Sequence, residues 1–151
     1  MNEAVTAAGY DGLLRCDFAS FARRSFRELY PQTSYSFGPH IEIISAKLAA
    51  VIDGTTRRLI INLPPRHLKS LLASVAFPAW CLGRNPSAEI LCVSYAQELA
   101  DKLSRDCRRI VASDWYRRGS SPPGWRRGTR RCPNSRRRRR AVASPPRWAA
   151  C

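Results

Sequence analysis

Apolar residues recur along this chain with two periods, and the alternation between them sets out the elements. Phe18, Phe21, Phe26 and Leu29 stand at helical spacing and predict a helix over residues 17–30, ended by Pro31. Ile41, Ile44, Leu48 and Val51 give a second helical stripe over residues 40–53, with Gly54 suited to its exit. Residues 58–63 and 89–94 are short apolar runs bounded by turn formers, the pattern of buried parallel strands. Between them a helix is expected over residues 69–82, followed by the turn Asn85-Pro86-Ser87. Tyr95, Leu99, Leu103, Cys107, Ile110 and Val111 mark a further helix. Strands alternating with helices predict an α/β three-layer core with parallel strands, residues 58–63 and 89–94 being adjacent. Residues 1–16 have weak periodicity and read as a mobile lead-in to a domain over residues 17–116.

Beyond residue 116 neither period survives. The net charge of +15 resides mostly here: residues 117–151 hold 12 arginines and no acid, giving +12, whereas residues 1–116 are close to neutral at +3. Five consecutive arginines, Arg136 to Arg140, sit among Pro, Gly, Ser and Trp. Such a segment buries too little apolar surface to offset ordering, so a disordered tail is expected. Two readings of it stand. One is a basic nucleic-acid-binding arm with interleaved Trp125 and Trp148. The other is out-of-frame translation of a GC-rich gene, whose codons yield Arg, Pro, Gly, Ala and Trp when misread.

The chemistry lies between the two apolar runs. A strand-like segment, a Pro-Pro break, a Lys-Ser pair and a helix follow one another, the layout of a phosphate-binding loop. Such a site needs backbone N–H donors at a helix start, a cation for the outer phosphates and a hydroxyl for the metal. Lys69 and Ser70 are of the right types. Leu63 and Leu68 stand where the GxxxxGK[ST] pattern has glycines. A solvated Lys-Ser pair at a helix start is the plain structural alternative.

Pro64-Pro65-Arg66-His67-Leu68-Lys69-Ser70 after Leu59-Ile60-Ile61-Asn62-Leu63 resembles the variant Walker A motif of tailed-phage terminase large subunits, the ATPases that drive DNA into procapsids. Phe21-Ala22-Arg23-Arg24-Ser25-Phe26, Gly38-Pro39-His40-Ile41, and the stretch from Ile90 through Ile110 are similar to that family in order and spacing. The resemblance spans roughly residues 17–116. It implies a partial P-loop NTPase core that binds ATP and Mg²⁺ through Pro64, Pro65, Arg66, His67, Leu68, Lys69 and Ser70. In that reading Lys69 neutralises the β/γ-phosphates and Ser70 meets Mg²⁺ through the nucleotide. Arg66 faces the γ-phosphate, a neighbouring subunit or solvent, and His67 orients the loop. His40 lies where related motors bind adenine, though a helix-start histidine is more often structural. Ser94 and Tyr95 end the second strand, either coupling nucleotide to DNA or, for the tyrosine, packing under the helix. The implied partners are double-stranded DNA, the portal and the small terminase subunit, in the cytoplasm of a bacterial host.

No apolar strand ending in paired acids follows Tyr116, so the Walker B carboxylates that hydrolysis requires are missing, as is a nuclease domain. The expectation is an N-terminal terminase fragment, truncated and frameshifted after about residue 116, that is not catalytically competent. Back-translation of residues 118–123 and 136–150 at one shared offset can restore text similar to the family's. The alternatives are a small basic nucleic-acid-binding protein and a piece of another P-loop ATPase or helicase. The six cysteines form no CxxC pair, which argues against a zinc site or disulfide framework, and the apolar runs are too short for a bilayer.

Overall fold

A computed structural model describes residues 7–36 and 38–120. The elements in order are α1 (Ala7–Cys16), α2 (Phe18–Leu29), α3 (Pro39–Ile52), α4 (Lys69–Leu71), a π-helical turn (Leu72–Ala76), α5 (Phe77–Arg84), α6 (Gln97–Ala112) and α7 (Asp114–Ser120). The helical periods in the sequence correspond to α2, α3 and α6. Residues 7–16, whose period is weak, also form a helix, which packs on α2, α5 and α7. α7 runs past residue 116, and the rest of the expected arginine-rich tail lies outside the described residues.

Each helix has a local cause. Asp17 caps α2, its carboxylate accepting from the Ser20 backbone N–H at 3.0 Å. The apolar face of α2 then buries Phe18, Phe21, Ala22, Phe26 and Leu29. Pro39 opens α3 at its first turn, where a missing N–H has no consequence. α4, the π turn and α5 run on without a break, because every junction residue keeps right-handed helical angles. Pro78 explains the wide turn: it cannot donate to Ser74, and its ring crowds that carbonyl. The backbone widens instead, and the Phe77 N–H bonds to Leu72 O five residues back.

The core lies between α2, α3 and the continuous helix from Lys69 to Arg84, closed by α6 and α7. Phe18 meets Phe77 edge-on at 5.9 Å between ring centroids and Trp80 at 5.2 Å. Phe21 meets Trp115 at 5.5 Å. The polar ends of the buried aromatics find acceptors: Trp80 Nε1 donates to Leu14 O at 3.2 Å, and the Tyr116 hydroxyl to Ala79 O at 2.7 Å. Trp115 Nε1 donates to Glu28 at 3.1 Å, and Arg24 holds the same carboxylate at 3.7 Å.

The expected α/β core is corrected by this architecture. Among the described residues there is no β-strand and no sheet, so residues 58–63 and 89–94 are not adjacent parallel strands and no three-layer core forms. Both segments are irregular, and neither has a ladder partner. In the first, Leu59, Ile61 and Leu63 turn inward against the core while Ile60 is 93% exposed. In the second, Leu91 is 89% and Val93 84% exposed. An apolar run specifies extended backbone that resists helix; it does not supply the neighbour that makes a strand. No helix among the described residues is long and apolar enough to cross a membrane.

Phe18→Ala should cost about 3–5 kcal/mol in urea denaturation, since its ring is buried against Phe77 and Trp80. Ser25 Oγ is buried without a hydrogen-bond partner. Ser25→Ala should therefore leave the unfolding midpoint unchanged or raise it, as removing an unsatisfied hydroxyl relieves a desolvation penalty.

Candidate functional site

The loop over residues 64–70 is built by what precedes and follows it. Leu59, Ile61 and Leu63 pin the incoming chain to the core, and Leu71 and Leu72 pin the outgoing helix. Pro64 and Pro65 fix the exit from the extended segment and lie exposed with Arg66 and His67. Between these anchors the backbone turns sharply. Arg66 has φ +68° and Leu68 has φ +58°, left-handed values that side chains other than glycine disfavour.

This curvature has a chemical result. Leu68 in the left-handed region directly before helical Lys69 is the backbone pattern that turns successive N–H groups toward one another at the start of a helix. The N–H groups of Arg66, Leu68 and Lys69 have no acceptor among the described residues. Lys69 folds back so that Nζ donates to Leu63 O at 3.0 Å, holding the ammonium across the base of the loop. Ser70 is exposed on the first helical turn. Leu68 is half-buried and packs against the core, which gives its strained backbone a compensating contact.

His67 closes one side. Its Nδ1–H donates to Pro65 O at 2.9 Å, and its ring meets His40 at 5.4 Å between centroids and 69° between planes. His40 comes from the first turn of α3, so this contact fastens that helix end to the loop. Gly38 makes room for it: a Cβ there would come within 2.7 Å of the His40 ring. The sequence placed His40 and His67 separately and gave no sign that they touch, for nothing in local spacing encodes contact between residues so far apart.

The site residues Pro64 through Ser70 therefore fall in one loop, joined by His40. Ser94 and Tyr95 do not join them by any hydrogen bond or ring contact, and Tyr95 is 95% exposed instead of packing under a helix. On α6, Asp101 accepts from Gln97 Nε2 at 2.9 Å. No group of three or more His, Cys, Asp or Glu side chains that could hold a metal occurs among the described residues. Within the loop only the Ser70 hydroxyl suits Mg²⁺, whereas the convergent N–H groups and Lys69 suit phosphate oxygens. A separate depression beside α1, α5 and α7, lined by Asp11, Arg15, Trp80, Arg84 and Trp115, shares no residue with the loop.

The thiols differ in setting. Burial pushes the Cys81 thiol up to about 11 against the opposing pull of Arg84, and burial also raises that of Cys107, with a smaller contribution from Cys92. Cys92 is exposed.

No family model, curated protein or solved structure matches this chain.

Cys92 should react with a maleimide well before Cys81 and Cys107 at mildly alkaline pH, because the thiolate is the nucleophile and the other two hold their protons. A mass-spectrometric time course reads the order. The folded state binds the Cys81 proton more tightly than the unfolded chain does. Its contribution to stability should therefore be full below pH 9.0 and decline as pH rises through about 11.

Proposed function

We propose that the loop over residues 64–70 binds the phosphate groups of a nucleotide, and that this chain is an N-terminal portion of a terminase-like packaging ATPase. The observation that carries the reading is the paired left-handed backbone at Arg66 and Leu68, which turns unpaired N–H groups together beside the Lys69 ammonium. Left-handed leucine and arginine each oppose folding by about 1–2 kcal/mol, and only Leu68 gains a core contact in return. The amines, amides and hydroxyl there match a triphosphate better than any neutral ligand. Bound Mg·ATP would place its outer phosphates at Lys69 and the loop amides, and its metal beside Ser70. Double-stranded DNA, a portal and a small terminase subunit are the partners that go with this reading.

Binding and turnover separate in this chain. Amides, a cation and a hydroxyl favour phosphates already present in the ground state. Acceleration requires groups that act more strongly on the transition state. Among the described residues no acidic cluster stands at the loop to orient water or complete a metal shell. Holding nucleotide without turning it over is the activity these parts support.

Titration with a fluorescent ATP analogue tests the reading. Lys69→Ala should weaken binding by about 10- to 100-fold, the range for loss of a charge-assisted hydrogen bond. Leu68→Gly should retain binding, because glycine takes the same backbone angles without strain. Equal affinity in wild type and Lys69→Ala would overturn the proposal, as would turnover on the order of one per second in wild type. Were the chain instead a basic nucleic-acid-binding protein, DNA affinity would fall steeply with salt and ignore Lys69→Ala.

A further inference from the structure

The chain has two histidines, and the fold brings them together from different elements. His40 stands on the first turn of α3 and is half-buried, whereas His67 is exposed on the loop. Their ring centroids lie 5.4 Å apart, with 69° between the planes. Two imidazoles bound to one tetrahedral ion through ring nitrogens at about 2.0–2.1 Å hold their centroids roughly 5 Å apart. Small side-chain rotations would bring the pair to that arrangement.

The hydrogen bonding around the pair leaves a nitrogen of each ring for an ion. His67 uses Nδ1, which donates to Pro65 O at 2.9 Å, so Nε2 is the nitrogen that remains. A carbonyl that takes one ring N–H orients the imidazole and makes its other nitrogen more basic, the support that metal-binding histidines ordinarily have. Neither nitrogen of His40 has a hydrogen-bond partner among the described residues. Gly38 keeps the space that the His40 ring occupies, since a Cβ there would come within 2.7 Å of it. Lys69 directs its ammonium to Leu63 O at 3.0 Å and bonds to neither ring. Imidazole nitrogen suits zinc, copper and nickel, whereas magnesium takes oxygen ligands. The positive charges of Arg66 and Lys69 in the same loop oppose any cation, so affinity has to come from the ligand bonds themselves.

We propose that His40 and His67 form a two-histidine site for a first-row transition-metal dication such as zinc. Two protein ligands leave the other positions of a tetrahedral ion to water or to a ligand oxygen, so the site is open. An ion held there ties the start of α3 to the loop more firmly than the ring contact alone. The site does not depend on nucleotide binding by the loop, and either can fail without the other.

Zinc titration of the full chain without nucleotide, followed by NMR of the histidine ring signals, tests this. With two histidines in the chain, one substitution assigns both signals. Both rings should shift together over one range of zinc concentration, and the same concentrations of Mg²⁺ should move neither. His40→Phe keeps an aromatic ring against the loop but removes the nitrogens. It should displace the His67 response to zinc concentrations at least about tenfold higher, the lower end of the cost of disturbing a metal-binding histidine. His67→Phe should do the same to the His40 response. The cysteines that also take zinc are common to wild type and both variants, so they cancel in the comparison. Circular dichroism confirms that each variant keeps its helices. Rings that respond separately or not at all, an equal response to Mg²⁺, or an unchanged response in either variant would each overturn the proposal.

Discussion

Burying an indole obliges the chain to find an acceptor for its N–H, and in this protein that obligation organises the packing. Trp80 is 2% exposed, and the carbonyl that answers it belongs to Leu14, 66 residues earlier. Its ring lies against Phe18, and the Arg84 guanidinium sits over it at 4.8 Å. One residue before, the Ala79 carbonyl takes the hydroxyl of Tyr116 from the other end of the described chain. Two distant stretches are therefore tied to two consecutive positions of one helix. Such bonds add little net free energy when made and cost more when left open, so they act chiefly by excluding other arrangements of the same apolar residues.

The loop over residues 64–70 inherits its shape from that arrangement. The helix that carries Trp80 begins at Lys69, and its fixed position sets where the loop must end. Where it must start is set by Leu59, Ile61 and Leu63 on the core surface. The interval is short, and the chain crosses it with two residues in left-handed conformations that it would not adopt unaided. Local strain is thus held by packing on both sides. Lys69 and the His40–His67 contact then fix the interior and the rim.

How much was legible in the sequence follows from what each signal encodes. The stripe through Phe18, Phe21, Phe26 and Leu29 specifies one face of a helix, and α2 buries that face. The runs at 58–63 and 89–94 specify extended chain and nothing more, because pairing belongs to two segments at once. The expectation of a sheet failed at that step. The Lys69–Ser70 helix start was legible from its residue types. The left-handed backbone at Arg66 and Leu68 was not, since glycine ordinarily signals it and glycine is absent. The His40–His67 contact arises only after α3 and the loop have docked.

The π turn at residues 72–76 sets a rotational phase. An α-helix advances about 100° per residue, so accommodating one additional residue in a turn rotates everything on one side relative to the other by about that angle. Lys69 and Ser70 lie before the turn and Trp80 after it. With the core holding Trp80, the widened turn determines which way the helix start, and the loop joined to it, faces. A regular helix of the same composition would keep the indole buried while swinging the ammonium of Lys69 away from Leu63. Pro78, on the far side of the turn from the loop, thereby controls its aim through the geometry of a single turn.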